Sequence, residues 1–184
     1  MLGYHEDKGV RIVIDRYVDT QLFDGGFTCR RLLAKKPNRK GCYKASVAAL
    51  LMYGECRRKG VMLPNTDKLL HYFLKRDVFY TSGDKTKLLS DMRPGWRPID
   101  NFFPVESMRI RLPLIVLALC VLGVGNHPAL ARAWEYLESK KNENGRWVLE
   151  GTLTRQPCKF GKVGEENKWV TLYALLAGKY RHSA

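Results

Sequence analysis

The strongest constraint on the fold is a pattern that occurs twice: a helical segment, a turn of an acid or amide followed by Gly, and then an aromatic residue. The first copy, YVDTQLFDGGF, ends at Phe27, and the second, LESKKNENGRW, ends at Trp147. When these aromatic residues are superposed, Asp24 and Gly25 fall on the Asn-Gly pair of the second copy. Asp, Asn and Gly tolerate the backbone angles of tight turns. The pattern therefore predicts two related helix-turn units.

An apolar helix follows each of these turns. KASVAALLMYG ends at Gly54 and KWVTLYALLAG ends at Gly178, and a third segment of this kind, LPLIVLALCVLG, ends at Gly123. A half-polar helix and an apolar helix thus alternate three times, which predicts hairpin repeats over about 7–58, 65–123 and 128–181. Stacked hairpins bury a continuous core that no single hairpin can bury. The chain is therefore predicted to be one all-α domain, a toroid-like α/α arc with apolar inner helices and amphipathic outer helices.

The bounds of the single helices follow from the spacing of apolar residues and from Gly and Pro. Helices are predicted over about 7–22, 43–58, 65–79, 105–122, 128–141 and 167–180. Between 81 and 103 the chain carries two Gly and two Pro residues. We predict a long irregular loop there, with one short helix around 85–91.

The first turn also resembles a known repeat. Gln21-Leu-Phe-Asp-Gly-Gly-Phe27 is similar to the Q-x-x-D-G-G/S-aromatic repeat of terpenoid cyclases and protein prenyltransferases. The stretches 142–149 and 167–176 resemble a group of prokaryotic prenyltransferase-like proteins of unassigned activity. The resemblance implies the α/α-toroid superfamily. Complete toroids of that superfamily carry more than three hairpins, so this chain would be a minimal form, a fragment, or half of a homodimer that completes the ring.

In that superfamily the Gln and the aromatic residue of the repeat have structural roles. The Gln caps backbone groups of a neighbouring helix, and the aromatic ring packs over the turn. The resemblance implies these roles for five residues of the first copy: Gln21, Asp24, Gly25, Gly26 and Phe27. The second copy departs from the pattern at Lys141 and Arg146.

Aromatic residues of the first turn and of the last hairpin allow two interpretations. Phe27, Trp147, Trp169 and Tyr173 can be packing residues of the repeats. In a toroid cavity they can instead stabilise a carbocation through cation–π attraction.

The acidic and metal-binding motifs of this superfamily do not occur in the sequence. The cyclase signatures D-x-D-D and D-D-x-x-D are absent, as is the D-x-C arrangement of the zinc-dependent prenyltransferases. Cys29 and Cys42, which flank a basic segment, are only weak candidates for metal ligands. We predict no cofactor and assign no catalytic residue.

The charge of the chain points to an anionic partner. The formal net charge is +14, and the segment between Cys29 and Cys42 contains six cations and no acid. Such a segment can bind the phosphates of nucleic acid or the diphosphate of an isoprenoid. The predicted anion-binding residues are Arg30, Arg31, Lys35, Lys36, Arg39, Lys40 and Lys44.

These features leave three hypotheses for function. The preferred one is a non-catalytic binding or scaffold module with a basic surface. The alternatives are an enzyme acting on an isoprenoid diphosphate or a similar apolar and anionic ligand, and a nucleic-acid-associated protein. The five cysteines are irregularly spaced, no signal peptide is visible, and the longest apolar run is too short to span a bilayer. We therefore expect a cytoplasmic protein without a transmembrane segment.

Overall fold

The computed structural model describes residues 4–29, 40–89, 97–102, 110–151 and 160–182. Within these ranges the chain has six α-helices, two short 3-10 helices and no β-strand, which confirms the all-α prediction. The chain divides into two compact units, Met1–Tyr72 and Phe73–Ala184. The toroid arrangement and the single-domain organisation stay predictions.

The first unit contains α1 (Lys8–Val18), α2 (Tyr43–Arg58) and most of α3 (Thr66–Leu74), in which the boundary between the units falls. A 3-10 helix, Tyr4–Glu6, precedes α1. The Asp7 side chain caps α1 by accepting hydrogen bonds from the backbone amides of Gly9 and Val10. The helix ends at Val18 rather than at the predicted residue 22, because the amides of Thr20 and Gln21 bond to the third carbonyl back instead of the fourth.

The second unit contains α4 (Leu112–Val121), α5 (Ala131–Ser139) and α6 (Lys168–Tyr180). A 3-10 helix, Pro128–Leu130, leads into α5. The apolar helix α4 is buried along most of its surface and packs against α6 and α5. In the described part of the chain, no helix has the length and apolar character needed to cross a membrane.

Two helix predictions are wrong for local reasons. The helix α3 ends at Leu74, not at 79, because Asp77 and Val78 adopt positive φ angles of 42° and 73°, which a right-handed helix excludes. Residues 85–89 form no helix: the Thr81 amide bonds to the Lys87 carbonyl, and this segment turns back on itself. The helix α4 begins at Leu112, with Pro in its first turn and extended backbone at residue 111 just before it. The predicted start of this helix, at 105, lies outside the described residues.

Candidate functional site

The two turns that the sequence pattern predicts have the same backbone hydrogen bonds. In the first turn the Leu22 amide donates to the Gly26 carbonyl at 2.9 Å, and in the second the Asn142 amide donates to the Arg146 carbonyl at 2.8 Å. The residue that precedes each accepting residue is a glycine with a positive φ, which is 85° for Gly25 and 73° for Gly145. Gly adopts this conformation without strain. The chain therefore contains two equivalent hairpins: the first is α1, its turn and α2, and the last is α5, its turn and α6.

The aromatic residue after the first turn is fixed to the start of α2. The Phe27 amide donates to the Ser46 hydroxyl at 2.9 Å, and the Phe27 carbonyl accepts from the Cys42 amide at 2.7 Å. The ring is fully buried, stacks on Tyr17 with centroids 5.0 Å apart and meets Tyr53 edge-on. Phe27 thus packs over the turn, the role that the resemblance implies for it.

Trp147 makes the same two backbone contacts in the last hairpin. Its amide donates to the Thr171 hydroxyl at 3.1 Å, and its carbonyl accepts from the Asn167 amide at 2.9 Å. The indole is buried and donates from Nε1 to the Leu137 carbonyl at 2.7 Å. Two of the four predicted aromatic residues are therefore packing residues of equivalent turns.

These hydrogen bonds fix the register between the two hairpins. Cys42 corresponds to Asn167, and Ser46 corresponds to Thr171. This register is shifted by one residue from the alignment that places Gly54 on Gly178, the glycines at which the two apolar segments end. Both Cys42 and Asn167 are the residues that precede the second helix of their hairpin. Each residue of α6 can therefore be compared with its counterpart in α2.

In the first hairpin the turn is covered by α3. A Cβ on Gly25 would overlap the backbone carbonyl oxygen of Lys68 in α3. Gly26 and Gly41 lie under the ring of Tyr72, and a Cβ on Gly41 would be 2.7 Å from the Cα of Gly26. The Tyr72 hydroxyl donates to the Gly41 carbonyl at 3.0 Å. Glycine is needed here because helix and turn approach each other at backbone distance.

The other end of α3 is fixed to the far end of α2. The Tyr53 hydroxyl donates to the carbonyl of Pro64, just before α3, at 3.0 Å. Since Tyr72 reaches Gly41, two residues before the start of α2 and at its opposite end, α3 runs antiparallel to α2. Val47 and Leu50, midway along α2, are 2% and 0% exposed. These two side chains of α2 are therefore closed to solvent.

Gln21 takes part in the same contact. Its Nε2 donates to the Gly25 carbonyl at 2.9 Å and to the carbonyl of Asn65, the residue before α3, at 3.4 Å. It therefore joins the turn of the first hairpin to the start of the neighbouring helix.

The last hairpin has an open groove of about 480 Å³ at the equivalent place, here called the α6 groove. Its lining residues are Arg146, Glu166, Asn167, Lys168, Thr171, Leu172 and Leu175. In the register fixed above, their counterparts in the first hairpin are Gly26, Gly41, Cys42, Tyr43, Ser46, Val47 and Leu50. Two of these counterparts, Gly26 and Gly41, are the residues that Tyr72 of α3 covers in the first hairpin.

The α6 groove combines an apolar surface with cations at one end. Leu172 and Leu175 are 42% and 55% exposed, and Trp169, one turn before Leu172 on the helix, is 39% exposed. Arg146 and Lys168 lie at the end of the groove nearest the turn. A row of apolar side chains at this spacing is typical of a surface that packs against another helix.

Glu166 anchors the turn at the cationic end of the groove. Its carboxylate accepts hydrogen bonds from Asn144 at 2.7 Å, from Arg146 at 2.7 Å and from Asn142 at 2.9 Å. These donors, Asn144 first, lower the pKa of Glu166 from its ordinary 4.5 to about 2. The carboxylate therefore holds Arg146 in place at the mouth of the groove.

We expect the Glu166 carboxyl to remain ionised until the pH falls to about 2. Because its pKa is lowered in the folded chain, the stabilisation from this network is complete above the ordinary range of a Glu and is lost as the pH falls through the lowered value. A carboxyl ¹³C NMR titration measures the pKa directly. Asn144→Ala should raise it, and a value near 4.5 in the unaltered protein would contradict the observed network.

The other predicted site residues are described only in part. Arg30, Arg31, Lys35, Lys36 and Arg39 lie outside the described residues. Lys40 and Lys44 are exposed, and Cys29 and Cys42 are half-buried free cysteines. Among the described residues, no group of three or more His, Cys, Asp or Glu side chains is placed to hold a metal ion. The Lys168 ammonium lies 5.5 Å from the centre of the exposed Trp169 ring, whereas Tyr173 is half-buried.

The residues that the sequence did not single out are Arg146, Lys168, Leu172 and Leu175, which line the α6 groove. The signal that could have found them is the equivalence of the two hairpins, which pairs Leu172 and Leu175 with Val47 and Leu50. Comparison with protein-family models, with curated proteins and with solved structures finds no match to the chain.

Proposed function

We propose that the chain is a non-catalytic helical-repeat module, whose last hairpin binds an amphipathic helix in the α6 groove. The observation that carries this proposal is the position of the groove. On the first hairpin Tyr72 of α3 lies over Gly26 and Gly41, the counterparts of Arg146 and Glu166. Val47 and Leu50 are closed to solvent there, whereas their counterparts on the last hairpin, Leu172 and Leu175, are exposed. A helix that covers Leu172 and Leu175 removes their apolar surface from water.

The chemistry of the partner follows from one difference between the hairpins. Arg146 stands where the first hairpin has Gly26, so a ring such as that of Tyr72 cannot lie against the backbone of this turn. Glu166 already binds Arg146 at 2.7 Å, so Lys168 is the residue that favours a carboxylate of the partner at this end of the groove. The partner helix therefore carries apolar side chains toward Leu175 and an acidic side chain toward the turn.

The toroid arrangement belongs to the same proposal. In stacked repeats each hairpin packs against its neighbour. The exposed row of Trp169, Leu172 and Leu175 is an apolar surface of the kind that such a contact covers.

A peptide tests this function. The probe is a fluorescently labelled copy of residues 63–77, which contain α3, with Tyr72→Glu to place an acid at the turn. A side-chain staple replaces Asp67 and His71, which are exposed and one helical turn apart, and keeps the peptide helical. We expect binding by fluorescence anisotropy. Leu172→Asp should weaken it about tenfold or more, since covering a Leu side chain contributes roughly 1.5–3 kcal/mol.

The matched control is Val13→Asp, which makes the same kind of change at a 67% exposed position on α1. This variant should bind the peptide as well as the unaltered chain does. The proposal fails if the peptide does not bind, or if it binds the Leu172→Asp variant with unchanged affinity. The peptide with the original Tyr72 should bind more weakly than the acidic peptide, because Arg146 takes the place of Gly26.

An enzyme acting on an isoprenoid diphosphate and a nucleic-acid-associated protein stay predictions of the sequence. Both depend on the cations between Cys29 and Lys40, which lie outside the described residues. The α6 groove is formed by other residues, so it supports the binding module independently of that segment.

A further inference from the structure

We propose that Asn144 is a site of spontaneous deamidation, and that its hydrogen bond to Glu166 sets the rate of this reaction. Asn144 is exposed and is followed by Gly145. Deamidation begins when the backbone nitrogen of the next residue attacks the side-chain amide carbon of an asparagine. A glycine at that next position has no side chain to hinder the attack. The reaction is independent of any helix bound in the α6 groove.

The reaction converts the side-chain amide into a carboxylate. The Gly145 nitrogen forms a bond to the Asn144 side-chain carbon, and the amide leaves as ammonia with the proton of the Gly145 nitrogen. Water then opens the cyclic imide that remains, at one of its two carbonyl carbons. One product has an ordinary aspartate side chain, and the other is an isoaspartate, whose backbone is longer by one carbon. Either product places a negative charge in the turn that carries Arg146.

Two hydrogen bonds occupy the reacting groups in the folded chain. The Asn144 side-chain nitrogen donates to Oε1 of Glu166 at 2.7 Å, and the Gly145 amide donates to the Asn142 carbonyl at 2.9 Å. Both bonds oppose the reaction, because ammonia leaves from the first nitrogen and the second nitrogen must lose its proton. A hydrogen bond to a charged acceptor is stronger than one to a neutral carbonyl. The bond to Glu166 therefore contributes more of the protection.

The first hairpin shows what a carboxylate at this place in the turn needs. Asp24 is the counterpart of Asn144, and its carboxylate accepts hydrogen bonds from the backbone amides of Gly26 at 3.1 Å and Gly41 at 2.9 Å. The counterpart of Gly41 is Glu166, whose side chain offers an acceptor instead. A carboxylate formed at position 144 would therefore face a second carboxylate.

Deamidation should consequently raise the pKa of Glu166, which is lowered to about 2 in the unmodified chain. The first cause of that low pKa is the hydrogen bond from Asn144, and the reaction replaces this donor with a like charge. Asn144→Asp has the side chain of one product, so a carboxyl ¹³C NMR titration of this variant measures the effect. The pKa should rise further than in Asn144→Ala, which loses the donor without gaining a charge. An equal or smaller rise would contradict the placement of the new carboxylate opposite Glu166.

The deamidation rate of the folded chain is measured by peptide mapping with mass spectrometry, in mildly alkaline buffer. Fragment spectra separate Asn144 from Asn142, which is followed by Glu143 and serves as the slow internal reference. Glu166→Ala removes the acceptor and should raise the rate at Asn144 about threefold to tenfold, as expected of an exposed hydrogen bond to a charged group. Glu166→Gln keeps an acceptor oxygen without the charge and should react at an intermediate rate. The chain unfolded in guanidinium chloride should react at least as fast as Glu166→Ala.

Two matched variants separate this hydrogen bond from other changes near the turn. Glu165→Ala removes the neighbouring carboxylate, which pairs with Lys162 at 3.0 Å. Arg146→Ala removes the ion pair of Glu166 and leaves Asn144 its acceptor. Both should deamidate at the rate of the unaltered chain, and rates are compared between variants with the same circular dichroism. The proposal is overturned if Glu166→Ala reacts no faster than the unaltered chain, if either control accelerates the reaction as much, or if Asn144 persists in the unfolded chain.

Discussion

Replacing Gly25 with alanine is expected to lower the free energy of unfolding by about 2–5 kcal/mol. Two effects add. Gly25 has a φ of 85°, and the left-handed conformation costs a residue with a Cβ about 1–2 kcal/mol. The new Cβ would also overlap the backbone oxygen of Lys68, and overpacking of this kind costs about 1–3 kcal/mol. Because the overlapping atom belongs to the backbone of α3, it cannot move aside cheaply. Urea denaturation followed by circular dichroism measures the change.

Gly145 is the matched control, since it has the same place in the last turn. Its φ is 73°, and the nearest atom to an added Cβ is the flexible Lys141 side chain at 3.8 Å. Gly145→Ala should therefore lose only the conformational part, about 1–2 kcal/mol. Equal losses of unfolding free energy in the two variants would mean that α3 does not contact the first turn closely. That result would contradict the difference between the two hairpins described above.

Trp147→Ala is the second substitution with a large expected effect. The indole is 2% exposed and its Nε1 donates to the Leu137 carbonyl at 2.7 Å. Removing a buried Trp costs about 3–5 kcal/mol, through lost burial and the cavity that remains. Trp147→Phe keeps most of the volume and removes the N–H donor, so it should cost about 1–3 kcal/mol. Thermal and urea denaturation should rank the variants in this order.

Trp169→Ala provides the control within the same hairpin. Trp169 is 39% exposed on α6, and substitutions at such surface positions usually change stability by about 0.5 kcal/mol or less. If Trp169→Ala cost as much as Trp147→Ala, Trp169 would belong to the core and the apolar row of the α6 groove would have to be redrawn.

The parts of the fold that the sequence predicts are those with local causes. The helix α2 has the predicted bounds, Tyr43–Arg58. Its apolar residues recur at helical spacing, and Gly60, two residues after its end, has a positive φ. The two turns were recognisable from the Asp-Gly and Asn-Gly pairs, which set backbone conformation without help from distant residues. The all-α class follows from the sum of such segments.

The parts that the sequence does not predict depend on neighbours in space. Val78 has a φ of 73°, against the preference of a β-branched residue, so nothing in its local sequence marks the end of α3. The helix α6 was predicted to be an apolar inner helix, and Val170 and Ala174 are indeed buried. The exposure of Leu175 on the same helix is set by which hairpin faces are covered, and single-helix periodicity carries no information about that.

The hydrogen bonds that hold Phe27 and Trp147 at the start of the following helix allow the connecting segment of a hairpin to vary in length. Fourteen residues separate Phe27 from Cys42, and nineteen separate Trp147 from Asn167, yet both pairs are joined by the same carbonyl-to-amide hydrogen bond. The entropy of closing the longer segment adds only about 0.3 kcal/mol. The connection can therefore differ in length between the two hairpins, while the hydroxyl of Ser46 or Thr171 holds each aromatic residue in the same register.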